Sequence, residues 1–243
     1  MKKLYEKSNL AFAIVWIVAY CVLMSVGDSF SAMIGIEKSI TLPIGVILTV
    51  ILLAFLKKNG LFEAYGLCRA KASAKSMLYY IPIFVMLTAN LWYGVALNLS
   101  PLETVLYVLA MLCVGFLEEI IFRGLLFEAM RKDSVKAAII VSSITFGIGH
   151  IINLINGSGA ELLPNLLQVM YATAAGFMFV MMYLKTKSLI VCIASHGLLN
   201  ALSVFANEAN ATQEMRIITA IILTLILCGY AVYIASTIKT KAK

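Results

Sequence analysis

Two adjacent glutamates and an arginine interrupt an apolar stretch near the middle of the chain. In the run Gly115-Phe-Leu-Glu-Glu-Ile-Ile-Phe-Arg-Gly124, Glu119 and Arg123 are four residues apart. On a helix this spacing places both on one face, where they can form an ion pair. Glu118 points about 100° away from Glu119. The spacing therefore predicts a Glu119–Arg123 pair and leaves Glu118 without a partner, free to face another group.

The only two histidines of the chain follow the same helical spacing. Phe146 lies one turn before His150, and Asn200 lies one turn after His196. Counted from the basic ends of their apolar segments at about 1.5 Å per residue, Glu118, His150 and Asn200 all fall about 20 Å along their helices. His196 lies one turn nearer the basic end. Residues from three separate segments thus fall in one layer, which predicts a shared site.

A carboxylate and an imidazole that converge in a dry site can hold and deprotonate a water molecule, which suits hydrolysis. A second histidine and an asparagine can donate hydrogen bonds to the oxyanion that develops when water attacks a carbonyl. Ser195 precedes His196, but neighbouring helical positions diverge, so we do not expect a serine nucleophile. Glu118, His150 and His196 would also make a zinc set with an open position, although the HExxH motif is absent.

The elements that must position these residues are apolar helices. Of the 243 residues 62% are hydrophobic and 13% are charged, and the mean hydropathy is +0.98, far from the balance of soluble domains. The apolar blocks have the length that a helix needs to cross about 30 Å of hydrocarbon. We therefore expect an all-α, polytopic membrane bundle with a lipid bilayer as its partner. About eight spans are predicted, near residues 9–26, 40–56, 77–98, 103–127, 137–155, 165–184, 188–206 and 216–236.

The basic residues predict the orientation. With the amino end in the cytoplasm, sixteen of the nineteen Lys and Arg fall on the cytoplasmic side, as the positive-inside rule requires. Lys38 and Arg216 fall outside, and Arg123 lies within a span. The sixteen are Lys2, Lys3, Lys7, Lys57, Lys58, Arg69, Lys71, Lys75, Arg131, Lys132, Lys136, Lys185, Lys187, Lys239, Lys241 and Lys243. Both termini are then cytoplasmic, and the net charge of +7 does not indicate nucleic acid.

No connection between the spans is long enough to bury a core of its own. We expect one membrane domain over residues 1–243, with the motif-bearing catalytic core at about 103–206.

The three spaced motifs carry a resemblance. Glu118-Glu119-x-x-x-Arg123, then Phe146-x-x-x-His150, then His196-x-x-x-Asn200 resemble, in order and spacing, the motifs of the CAAX protease and bacteriocin-processing family (CPBP or Abi, type II prenyl endopeptidases).

The resemblance implies an intramembrane endopeptidase in the cell membrane, acting on a membrane-associated or lipidated peptide. Glu118 would activate the water with help from His150, while His196 and Asn200 would form the oxyanion hole. Glu119, Arg123 and Phe146 would support them. The family has been called metalloproteases, yet a glutamate mechanism needs no metal; we expect no cofactor, with zinc as the alternative.

Two other functions fit the same residues. Glu118 and the histidines could form the proton relay of a proton-coupled transporter. The chain could also be a non-catalytic peptide-binding or bacteriocin immunity protein. The sequence does not choose among substrates or oligomeric states.

Overall fold

The computed structural model describes residues 1–156 and 159–238, and in these ranges the regular elements are helical. A short α1 (Lys2–Lys7) leads into a bundle. The bundle helices are α2 (Asn9–Ile34), α3 (Thr41–Lys58), α4 (Ile81–Thr88), α5 (Pro101–Met130), α6 (Val135–Gly149), α7 (Leu162–Thr186), α8 (Ile190–Leu202) and α9 (Gln213–Thr237). Short 3₁₀ turns lie at Lys75–Tyr80, Ala89–Leu91, His150–Leu154, Ser203–Phe205 and Glu208–Asn210.

Six of these helices are long and apolar enough to cross a membrane: α2, α3, α5, α6 with its 3₁₀ extension to Leu154, α7 and α9. The helix over Ile190–Phe205 is apolar but shorter. Large apolar side chains project outward from the long helices, for example Val18 at 56% and Leu225 at 67% exposure. Such a surface fits hydrocarbon rather than water, so the predicted helical membrane bundle is confirmed.

The segment predicted as a span over residues 77–98 is not one continuous helix. Only α4, with eight residues, is α-helical there, and Pro82 lies in its first turn, where a missing N–H is tolerated. Leu78, Tyr79 and Tyr80 before it have positive φ, as does Gly94 after it. The eight predicted spans thus correspond to six long helices, one shorter helix and one broken segment.

The two ends of the bundle differ in charge. We call residues 35–40, 92–100, 159–161 and 206–212, with the helix ends beside them, the acidic end. Hydrogen bonds from Glu37 N to Glu103 and from Asn207 N to Gly94 O join its loops. We call residues 59–74, 131–134 and 187–189, with their helix ends, the basic end.

The first and the last helices of the described chain begin and finish, respectively, at the basic end of the bundle. Lys132 binds Asn9 at the start of α2, and Lys185 binds Thr237 at the end of α9. The side of the membrane on which the termini lie stays a prediction, and Lys239, Lys241 and Lys243 lie outside the described residues.

A capping box fixes the start of α5, the helix that carries the glutamates. Ser100 accepts a hydrogen bond from Glu103 N, the Glu103 side chain returns to Ser100 N, and Pro101 occupies the first turn. From this start, Glu118 lies near the middle of the thirty-residue helix.

Glycines bring the helices of the site into close contact. A Cβ at Gly115 of α5 would lie 2.4 Å from Gly197 N of α8, and one at Gly176 of α7 would lie 2.9 Å from Ser143 of α6. Small residues at such crossings let membrane helices approach backbone to backbone. The motif-bearing helices are therefore held at short distances from one another.

Candidate active site

Glu118 has a partner that the sequence analysis missed. Tyr20 of α2 donates a hydrogen bond of 2.6 Å from its hydroxyl to Glu118 Oε1. The prediction that Glu118 has no partner is therefore wrong. The two residues are 98 positions apart, and a tyrosine in an apolar helix gives no sequence signal that it faces a carboxylate.

The second oxygen of Glu118 faces His196. His196 Nε2 lies 3.4 Å from Glu118 Oε2, but the geometry is not that of a hydrogen bond. Within the described residues Oε2 is buried and accepts no hydrogen bond. One carboxylate oxygen is thus fixed by Tyr20, and the other is buried without a hydrogen-bond partner among the described residues.

The ring of His196 is held from its other side by Glu119. Nδ1 lies 2.9 Å from Glu119 Oε1. Because an ionised carboxylate only accepts, Nδ1 carries the proton of this bond. The ring also stacks on Phe179, with centroids 5.7 Å apart, and Phe146 meets it edge-on at 5.5 Å. These contacts direct Nε2 toward Glu118.

Glu119 and Arg123 form the ion pair expected from their spacing, at 3.0 Å, and both side chains are fully buried. The Arg123 guanidinium lies over the Phe146 ring, 4.0 Å from its centroid, and 5.4 Å from that of Phe179. Aromatic faces compensate part of the cost of a buried cation. Glu119 therefore links Arg123 to His196, a second contact that the spacing did not predict.

A π-helical turn over Ile120–Leu126 follows the glutamates directly and contains Arg123. All seven of its residues are buried. π turns are rare, occur mostly as single turns within α-helices and are frequent at functional sites. The turn carries the arginine beneath the site without ending the helix.

His150 ends α6 and begins the 3₁₀ turn. Its Nδ1 lies 3.1 Å from Phe146 O. A carbonyl only accepts, so Nδ1 carries the proton and Nε2 is left as an acceptor. Asn165 of α7, which is 1% exposed, donates to His150 O at 2.8 Å. Asn165 is a further residue of the site, and no helical spacing to the other motif residues predicts its contact with His150.

One cavity of about 550 Å³ brings together the four residues predicted to be catalytic. Glu118, His150, His196 and Asn200 all line it, and Phe146 lies in its wall. Ser195 is not directed at a substrate, since its hydroxyl donates to Val191 O within its own helix.

The zinc alternative considered from the sequence used Glu118, His150 and His196. Among residues 1–156 and 159–238, no three His, Cys, Asp or Glu side chains lie together in a way that could hold a metal ion. Glu119 and Phe146 O occupy one nitrogen each of His196 and His150.

Residues 100–202 match a family model described as Rce1-like, type II CAAX prenyl endopeptidase Rce1-like. The match runs from the cap of α5 to the end of α8 and includes all three motifs. The chain contains an Rce1-like domain. The resemblance drawn from the motifs is confirmed over residues 100–202, and the six long apolar helices make this a multi-pass membrane protein. No curated protein matches the chain.

Proposed function

We propose that the protein is an intramembrane endopeptidase of the CAAX type that hydrolyses a peptide bond with water activated by Glu118. One observation carries the proposal: Glu118, His150, His196 and Asn200 meet at one cavity, where a Glu118 oxygen accepts no hydrogen bond from the described protein groups.

In the first step a water molecule binds between Glu118 Oε2 and His150 Nε2, which are both acceptors. Glu118 takes a proton from this water as the water oxygen attacks the carbonyl carbon of the substrate. Tyr20 holds the other carboxylate oxygen at 2.6 Å, so the base cannot turn away from the water. Fixed orientation of a general base is a large part of its rate contribution.

The attack creates an oxyanion, for which His196 and Asn200 supply donors. This role requires a proton on His196 Nε2 in addition to the one on Nδ1 that Glu119 accepts. Preorganised donors of this kind contribute about 3 to 4 kcal/mol each to the stabilisation of the transition state. The Phe146 and Phe179 rings restrict the imidazole to the plane that this requires.

Collapse of the tetrahedral intermediate breaks the carbon–nitrogen bond. Glu118 returns its proton to the leaving amine, and the products are a new carboxylate and a new amino terminus. The water supplies the oxygen and both protons, so the enzyme ends in its starting state. Glu119 and Arg123 touch no reacting atom and act by holding His196.

The buried layer beneath the site argues against the transporter alternative. A proton relay through Glu118 and His196 would continue to Glu119 and Arg123, but both side chains are fully buried. A proton pathway would need a second opening to solvent on the side of Glu119 and Arg123. A protein that only binds peptide releases no cleavage products, whereas a protease does. The following experiment measures these products.

The proposal is tested with purified protein and a pool of ten-residue fluorogenic peptides, half of them carrying a carboxy-terminal farnesyl-cysteine. The reaction is run in H₂¹⁸O, and the products are analysed by mass spectrometry. We expect one ¹⁸O atom in each new carboxyl group. Absence of cleavage from every peptide, together with proton-coupled uptake in proteoliposomes, would support the transporter and overturn the proposal.

A further inference from the structure

The cavity extends from Glu118 toward only one end of the bundle. Asp28, which lies eight residues or about 12 Å beyond Tyr20 along α2, lines it, as do Lys38, Glu208 and Arg216. All four residues belong to the acidic end defined above. The basic end contributes no loop residue to the lining.

The charges at the two ends of the described chain are opposite. The acidic end carries six acidic and two basic side chains, namely Asp28, Glu37, Glu103, Glu161, Glu208, Glu214, Lys38 and Arg216. The basic end carries thirteen Lys and Arg and four acidic residues. By the positive-inside rule the basic end faces the cytoplasm, so the cavity opens on the opposite face.

Both basic residues at the mouth are already paired with acids. Lys38 lies 2.8 Å from Asp28 and 3.3 Å from Glu37. Although burial lowers the pKa of Lys38, these two carboxylates raise it overall, so the ammonium stays charged. Arg216 pairs with Glu208. Asp28 and Glu37 together exceed Lys38 by one charge, and Arg216 balances Glu208, so one unbalanced negative charge remains at the mouth and attracts cations.

The inner wall beyond the mouth offers acceptors for peptide N–H groups. Asn165 Oδ1 is buried and has no hydrogen-bond partner within the described residues, although Asn165 Nδ2 is engaged by His150 O. Gln168, three residues further along α7, also lines the cavity, and its Oε1 accepts a hydrogen bond from Asn153 Nδ2. A polar wall of carboxamides suits a peptide backbone, because each amide both donates and accepts.

We propose that the site takes its substrate from the non-cytoplasmic face of the membrane, and that this substrate is a peptide segment rich in Lys and Arg. The inference rests on the proposed function for its chemistry but not for its direction of access. The acidic mouth concentrates cationic segments, and the carboxamide wall leads the chain to Glu118.

Access is tested by labelling, which needs no catalysis. Ala209→Cys lies at the acidic end and Ala74→Cys at the basic end, and both positions are exposed. Intact cells are treated with a membrane-impermeant maleimide, and labelling is measured above that of the native chain with its five cysteines. We expect labelling of Ala209→Cys in intact cells and of Ala74→Cys only after permeabilisation. The reverse pattern overturns the proposal.

Leu97→Cys, at a position 85% exposed at the acidic end, repeats the test if Ala209→Cys fails to fold.

Substrate class is tested in right-side-out and inside-out vesicles and in detergent. The probes are two fluorogenic peptides that differ only in Lys or Glu flanks. We expect right-side-out vesicles to cleave the Lys-flanked peptide at least tenfold faster than the Glu-flanked one, with the difference reduced at high salt. Cleavage by inside-out vesicles alone, or equal rates for both peptides, contradicts this inference while leaving the proposed function intact. No cleavage in detergent contradicts the proposed function, and the labelling result still decides the access.

Discussion

Glu118 and Tyr20 form the contact on which the proposed chemistry depends at the scale of single residues. A phenol that donates to a carboxylate at 2.6 Å makes a short, charge-assisted hydrogen bond. Tyr20 is 7% exposed and packed in the core, so its hydroxyl has a fixed position. The bond therefore sets the orientation of Glu118 from a helix that lies outside the matched domain.

Tyr20→Phe removes the hydroxyl and keeps the ring. We expect kcat to fall by about 10-fold to 100-fold, because the base loses its fixed orientation, and KM to stay within about twofold. Initial rates over a range of peptide concentrations measure both. Tyr79→Phe, at an exposed tyrosine of the same size, is the control and should change neither. A rise in KM with unchanged kcat would show that Tyr20 binds substrate instead.

The pair of Glu119 and Arg123 is predicted to support the fold as well as His196. Arg123→Met leaves Glu119 buried without its cation, which costs about 3 to 5 kcal/mol. Adding Glu119→Gln removes the unpaired charge, so the double variant should regain part of the lost stability. The midpoint of thermal unfolding in detergent is measured for the native protein, for Arg123→Met and for the double variant.

Lys71→Met breaks an ion pair in which both side chains are mostly exposed, and it should leave the thermal unfolding midpoint nearly unchanged. A single Arg123→Met variant as stable as this control would show that the buried pair is dispensable.

At the scale of elements, the crossing of α5 and α8 holds Glu118 against His196. Gly115 and Gly197 meet at this crossing, three residues before Glu118 and one after His196. Any side chain at Gly115 must push the two helices apart.

Gly115→Ala is therefore expected to lower kcat/KM by about 100-fold, since a displacement of about 1 Å at a reacting group has effects of that size. The midpoint temperature of thermal unfolding should fall as well. Gly229→Ala in α9 is the matched control, because a Cβ there meets nothing within 4 Å. Equal activity in the two variants would mean that the crossing does not set the distance between Glu118 and His196.

The elements were predictable from sequence to the extent that local patterns decide them. Apolar length gives the long helices, and Ser100 with Glu103 marks the start of α5. The π turn was not predictable, because Ile120–Leu126 has the composition of an ordinary apolar helix. Residues 77–98 have the hydropathy of a span, but the positive φ of Leu78, Tyr79 and Tyr80 and the 3₁₀ turn at Ala89–Leu91 bound α4 at eight residues.

The site residues were predictable where they follow helical spacing. The Glu119–Arg123 pair is a contact of four residues within one helix, and depth counting brings Glu118 into the layer of His150. The bonds of Tyr20 to Glu118 and of His196 to Glu119 join distant helices. Their formation depends on which faces pack together, and this information is absent from a single sequence.

At the scale of the whole molecule, the site is closed on one side and open on the other. The fully buried Glu119 and Arg123 close it toward the basic end, and the cavity extends toward the acidic end. The charge difference between the ends can be read from the sequence. The direction of the cavity cannot, because it depends on which side chains fill the space between helices.

The most direct test of the account is the rate of peptide hydrolysis by purified Glu118→Gln. The amide keeps the size of the side chain but cannot take a proton from water, so we expect kcat to fall by at least about 1,000-fold, with the thermal unfolding midpoint unchanged. Glu63→Gln, at an exposed glutamate of the basic end, should retain full activity. Hydrolysis by Glu118→Gln at a rate within tenfold of the native protein would contradict the role of Glu118 as the base.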